Sequence, residues 1–150
     1  MDFPSAEDPA RAARRLRARA DLLDRLDHAA QWLRRAPKPP PPPLLRALDT
    51  AARWALARIP APGTGCGDCP RREKSACSCG VGCDGQGCGG TRPCGELRGR
   101  AEAFGRAWHV VARGGAGSDG WADLWSTLER LREGLGADVR ERRTARDEAR

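Results

Sequence analysis

The chain has no tyrosine, no asparagine, one isoleucine (Ile59) and two lysines against 25 arginines. This is the residue usage of a very GC-rich gene, and the same bias raises alanine, glycine and proline, whose abundance therefore carries less structural information. No apolar run approaches the ~20 residues that span a bilayer, which excludes a transmembrane helix and leaves no membrane partner to expect. The first 35 residues lack an uninterrupted apolar stretch of roughly 7–15 residues, so no secretory signal is expected. The expected location is intracellular: cytoplasmic, or nuclear in a eukaryotic or viral setting. Leu, Ile, Val and Phe number 21 of 150 residues, below the ~20% at which composition begins to favour disorder. Any core must be thin.

Catalytic machinery is equally sparse. With only His28 and His109, a nucleophile–base pair would need Cys–His or Ser–His partners far apart in the chain. His28 stands four residues from Asp24, a spacing that surface electrostatics explains. The Gly114–Gly117 stretch lacks the Lys and Ser/Thr of a phosphate-cradling loop. The expectation is a protein that is not an enzyme, with no small-molecule substrate.

The surplus of positive charge, +7 in all, is spread thinly from end to end. Its one concentration is Arg11, Arg14, Arg15, Arg17 and Arg19. Near a helix start the macrodipole disfavours cations by a few tenths of a kcal/mol each, so helix stability does not explain the run. It reads either as a solvated face compensated by Asp21, Asp24 and Asp27, or as a contact for an acidic partner or a phosphate backbone.

Hydrophobic periodicity is helical throughout, with no strand-like alternation. Asp8–Pro9 reads as an N-cap followed by proline at the first helical position, and Pro37 closes a helix of about 27 residues. Its stripe is Ala12, Leu16, Leu23, Leu26, Ala30 and Leu33, broken by Arg19. Residues 37–43 hold six prolines and Lys38, a polyproline II spacer of roughly 20 Å or a ligand for a proline-recognising domain. A second helix follows over 44–59, with Leu45, Leu48, Ala52, Ala55, Leu56 and Ile59 marking its face. Leu97, Ala101, Phe104, Trp108 and Val111 define a third over 96–112, stopped by the glycines at 114–117. Behind a Ser118/Asp119 cap, Trp121, Leu124, Leu128, Leu131 and Leu135 define a fourth over 119–135, expected to end at Gly134 and Gly136. The remainder, 136–150, reads as a charged tail or frayed helix. The expected fold is all-α: a small bundle of about four helices with a long N-terminal helix (1–36), a polyproline linker (37–43), and a helical domain over 44–135 carrying a Cys/Gly-rich insertion at 66–94.

That insertion holds every cysteine: Cys66, Cys69, Cys77, Cys79, Cys83, Cys88 and Cys94. Reduced thiols gathered this densely are good ligands for Zn²⁺, which takes four at tetrahedral geometry. Cys66 and Cys69, two residues apart around Gly67, can reach one ion from a tight turn, and Cys77–Ser78–Cys79 suits neighbouring or shared metals. Seven sulfurs leave three accountings for one or two zinc ions: one four-cysteine site with spare thiols, two sites completed by another ligand, or a binuclear site with bridging thiolates. His109 is the candidate extra ligand; a solvated helical histidine is the alternative. Cys66–Cys69 also has the two-residue gap of thiol oxidoreductases, without the βαβ context.

The arrangement partly resembles the binuclear zinc-cluster DNA-binding module. Cys66, Cys69, Cys77, Cys83, Cys88 and Cys94 would take the six cysteine places, and Arg71, Arg72 and Lys74 the basic run before the third. The resemblance covers 29 residues; the four-residue gap between Cys83 and Cys88 departs from it, and Cys79 has no place in it. Were it followed, it would imply zinc-dependent nucleic-acid binding.

Five tryptophans stand against two phenylalanines. They are either the core, in a chain short of Ile and Val, or anchors for a partner, with Trp121 and Trp125 the candidate interface. The leading expectation is a zinc-binding helical regulatory or adaptor protein acting through a protein partner. The alternatives are a nucleic-acid binder in transcriptional regulation and a thiol redox or metal-buffering protein.

Overall fold

The computed structural model describes residues 9–36, 40–59, 94–114 and 117–148. They form four helices, α1 (Pro9–Arg35), α2 (Pro42–Arg58), α3 (Cys94–Ala112) and α4 (Ser118–Glu148), and no strand is present among them. Asp8, residues 37–39 and residues 60–93 lie outside the described residues. None of the four helices is long and apolar enough to cross a membrane.

The helices pack in a ring, α1 on α2, α2 on α3, α3 on α4 and α4 on α1, with neither diagonal pair in close approach. Side-chain links fix the directions. Arg58 donates to the Ala18 carbonyl while Arg25 lies on Trp54, so α1 and α2 run antiparallel. Trp108 donates to Asp49 and Arg98 to the Leu56 carbonyl, giving the same sense to α2 and α3. Arg100 reaches the Arg130 carbonyl as Leu97 touches Gly134, and Arg19 meets Asp138 as Asp27 meets Arg132. The result is an up-down-up-down four-helix bundle.

The core is drawn from all four helices, and on α1 it departs from the expected stripe: Leu22 and Ala29 take fully buried positions while Leu23 and Leu33 are only partly buried. Leu22 and Leu26 of α1, Leu44 and Leu48 of α2, Phe104 of α3, and Leu124, Leu128, Leu131 and Leu135 of α4 are fully buried, closed at one end by Ile59. The third stripe packs as its spacing predicts, with Leu97, Ala101, Phe104, Trp108 and Val111 all buried. The second is rotated from its expected face: Leu44 is buried, Leu45 only partly, and Leu56 turns outward at 37% exposure. Alanines 51, 52 and 55 take the buried positions, which lets α2 lie close to its neighbours.

Several element ends differ from expectation. Pro42 and Pro43 belong to α2 rather than to a spacer, since proline suits the first helical turn where its missing N–H would have no partner. Pro41, extended at φ −68° and ψ 152°, caps them and accepts from the Leu44 and Leu45 N–H groups. At the start of α4 the capping carbonyl is that of Gly117, which accepts from Gly120 and Trp121, while Asp119 lies in the first turn where the helix dipole favours an acid. Gly114 ends α3 as expected, at φ +74°, its N–H bonded to the Val111 carbonyl.

The largest correction concerns the expected stop at Gly134–Gly136 and the charged tail beyond it. α4 continues unbroken to Glu148. Gly134 is a packing residue: a Cβ there would lie 3.0 Å from Arg100 Nη1 and 3.3 Å from Leu97 Cδ1. Two helical glycines cost about 2 kcal/mol relative to alanine, whereas burying Leu135 and Val139 contributes about 1.5–3 kcal/mol each. Burial wins, and the helix runs through.

α1 and α4 consequently outrun the shorter pair. Arg58, the last residue of α2, bonds at the level of Ala18, leaving residues 9–17 of α1 projecting by roughly 14 Å. Beyond the Arg19–Asp138 contact, α4 extends by ten residues, about 15 Å.

Candidate interaction surfaces

The cysteines Cys66, Cys69, Cys77, Cys79, Cys83 and Cys88, with Arg71, Arg72 and Lys74, lie outside the described residues, and so does the side chain of Cys94. The frame around them is defined. Ile59 and Cys94 flank the cysteine-rich segment, and antiparallel packing brings the end of α2 beside the start of α3. Arg98 ties the two: its Nη1 donates to the carbonyls of Leu56 and Ile59, each at 2.7 Å, while its Nε bonds Glu102 at 3.2 Å. The last carbonyls of α2 have no partner within their own helix, so a guanidinium there satisfies two acceptors and complements the negative end of the dipole.

His109 stands at the other end of α3. Fifteen residues of helix separate it from Cys94, about 22 Å along the axis, whereas ligands of one zinc lie within about 2.3 Å of the ion. A compact site using both Cys94 and His109 is excluded by helix length. Among the described residues, no cluster of three or more His, Cys, Asp or Glu side chains is arranged to hold a metal ion.

The Arg11–Arg19 run does not form one face. Arg14 and Arg17 are exposed, and no carboxylate among the described residues pairs with either. Arg15 is half-buried, and the side chain of Arg11 lies outside the described residues. Arg19 is withdrawn from the candidate contact surface altogether. It is 1% exposed and meets Asp138 Oδ2 at 3.1 Å, where Arg142 also bonds at 2.9 Å. The break in the first stripe is thus a core position whose charge is answered from α4, 119 residues away.

The tryptophans pack against the core. Trp108 is buried and donates to Asp49 Oδ1 at 3.0 Å; Trp32, Trp54, Trp121 and Trp125 are partly buried against the same cluster. Arg25 and Arg58 lie on Trp54 at 3.9 and 3.8 Å from the ring centroid, the first a cation–π link from α1 to α2 and the second a contact within α2. Arg34 approaches Trp125 at 5.4 Å. Trp125 also borders a groove between α1 and α4 of about 690 Å³ whose walls are mostly charged. There Arg132 bonds Asp27 at 2.8 Å and pairs with Glu129. Partial burial opposes the Arg132 charge, but hydrogen bonds and attraction from Asp27 and Glu129 outweigh it and raise its pKa above the ordinary arginine value.

A more apolar groove of about 810 Å³ runs between α2 and α3. Leu56 and Val110, the two large hydrophobic residues exposed among those described, both line it. Sequence reasoning singles out neither as a site. The signal for Val110 is its neighbour Val111: adjacent residues diverge by about 100° on a helix, so one core-facing stripe cannot bury both.

No protein-family model, curated protein or solved structure matches the chain.

Proposed function

We propose that the chain is a zinc-binding helical adaptor, in which the bundle is a rigid base for the cysteine-rich segment and the assembly acts through contacts with a protein partner. The observation that carries this reading is the Arg98 tie, which holds the end of α2 at Ile59 beside the start of α3, the two points that flank the cysteine-rich segment. Closing a free chain of that length costs about 3 kcal/mol in entropy, and the α2–α3 pairing has already met that cost before any ion binds. Metal binding and bundle stability then reinforce each other, because an ion bound only by the folded form contributes folding free energy. The donor set is suited to one or two Zn²⁺ ions, and the reading includes no catalytic step.

Native mass spectrometry of the reduced protein, with thiol counting before and after chelation, tests it. One or two retained zinc ions, at least four protected thiols and a lower melting temperature on chelation are the expected results. A metal-free protein with seven freely reactive thiols would overturn the metal site. Reversible thiol oxidation with readily lost metal would point instead to redox or metal buffering.

A second reading, nucleic-acid binding, is favoured by Arg14 and Arg17, exposed on the part of α1 that projects past the end of α2. It predicts affinity that falls steeply with salt, with a slope near the number of phosphates contacted. Arg19, held by Asp138, would contribute nothing to that slope.

A further inference from the structure

We propose that the facing sides of α1 and α4, where these helices outrun α2 and α3, are the seat of the chain's own cysteine-rich segment, residues 60–93. The proposal deepens the adaptor reading, and only its charge argument rests on the zinc site.

The core-facing stripe of each long helix continues past the shorter pair. On α1, Arg15 stands seven residues before Leu22 and eleven before Leu26; on α4, Arg142 stands seven after Leu135 and eleven after Leu131. Both spacings close on whole helical turns, so these side chains start from the core side. α2 ends level with Ala18, and the contact of Leu97 with Gly134 puts Cys94, the first residue of α3, about level with Ala137. Past those levels α1 and α4 have only each other, and one neighbouring helix does not close both flanks of an inward stripe. The stripe is nevertheless covered. Leu16 is 7% and Val139 1% exposed, and Arg15 Nη1 and Glu141 Oε2 are withdrawn from solvent. The Arg142 side chain is 13% exposed although it starts about 7.5 Å beyond Ala137.

The cover is rooted at the base of the projection. One turn beyond Arg142, Arg146 is exposed, and so are Pro9 and Ala10 at the outer end of α1. Residues 60–93 follow Ile59 and precede Cys94, and both of these stand at that base. Residues 37–39 and 115–116 connect helices at the opposite end of the bundle, and residues 1–8 enter from the exposed outer end of α1. Position therefore selects 60–93 as the occupant.

Charge agrees. The stripe sets Arg15, Arg19 and Arg142 against Asp138 and Glu141, with Arg146 at its rim, so cations are in surplus. Four thiolate sulfurs around one Zn²⁺ leave a double negative charge, which that surplus answers where water is largely excluded.

The test uses the full chain, ¹³C,¹⁵N-labelled, reduced and supplied with zinc. Nuclear Overhauser contacts from the methyl groups of Leu16 and Val139 report what lies on the stripe. Expected are contacts to protons of residues 60–93. Contacts only to Ile59 and the four helices, or to residues 1–8, would overturn the proposal. So would contacts that vanish on dilution, which would assign the seat to a second copy. A variant in which a Gly/Ser linker of equal length replaces 60–93 reads the same seat from the other side. Its amides at 15–17 and 139–145 should exchange roughly tenfold faster than in the parent, with those around Leu48, Phe104 and Leu128 unchanged. Equal protection of the helix ends in both proteins would refute the seat. A protein that keeps the methyl contacts without holding zinc overturns the zinc reading alone; one that holds zinc without them overturns the seat alone.

Discussion

Replacing Asp138 with alanine removes the carboxylate that answers two arginines at once. Arg19 is 1% exposed, and its Nη1 and the Nε of Arg142 converge on Asp138 Oδ2 at 3.1 and 2.9 Å. Deleting one partner of a buried ion pair costs about 3–5 kcal/mol, because the remaining charge loses its counter-ion where water cannot replace it. Asp138 itself retains 15% exposure, so some hydration is recovered and the expected loss is at the lower end, about 3 kcal/mol. That is a large share of the ~5–15 kcal/mol that holds a small domain folded, and for a chain of 150 residues it lowers the melting temperature by roughly 6–12 °C. Urea and thermal unfolding followed by far-ultraviolet circular dichroism measure it. Asp138→Asn, which keeps an acceptor and loses the charge, should fall between parent and alanine variant. The double variant Arg19→Met/Asp138→Leu removes the buried pair and should recover more than half of the loss, the rest being what Arg142, 13% exposed, gives up with the same carboxylate. If Asp138→Ala shifts the midpoint by less than about 3 °C, the ion pair does not hold α1 to α4 and the reasoning fails.

Gly99 of α3 has open space where a Cβ would stand, with nothing within 4 Å, so Gly99→Ala should gain about 0.5–1 kcal/mol by helix propensity, read from the urea midpoint. Gly114, at φ +74°, should respond in the opposite sense, with alanine there costing about 1 kcal/mol or more in the same assay. Phe104→Ala, at a fully buried position, should lose about 3–5 kcal/mol by thermal unfolding. Trp108→Phe keeps the aromatic bulk but deletes the donor to Asp49; a loss of about 1 kcal/mol is expected, and none if Asp49 is served by Arg53 alone.

The cysteine-rich segment shows what a pattern delivers and where it stops. Seven cysteines among glycines identify a donor set from composition alone, because thiolate chemistry belongs to the side chain wherever it lies. Which sulfurs share an ion is a question of three-dimensional proximity, and His109 makes the point: attractive as an eighth ligand by residue type, it is separated from Cys94 by the length of α3. The tryptophans behave similarly. Their number suggests either core or interface, and packing places Trp108 in the core and the other four partly buried against it.

What the sequence by itself determined is the local order: four helices, the apolar faces of α3 and the first half of α4, the stop at Gly114, and the absence of strand among the described residues. These follow from spacing within a turn or two, where neighbours along the chain are neighbours in space. Only the tertiary structure decided how each helix is rotated about its axis. That rotation turned Leu56 outward and Leu44 inward, carried α4 past two glycines on the burial of Leu135 and Val139, and set Asp138 opposite an arginine 119 positions earlier. A side chain's partner across the core depends on the volumes of all four stripes packing together, and no window of local sequence contains them.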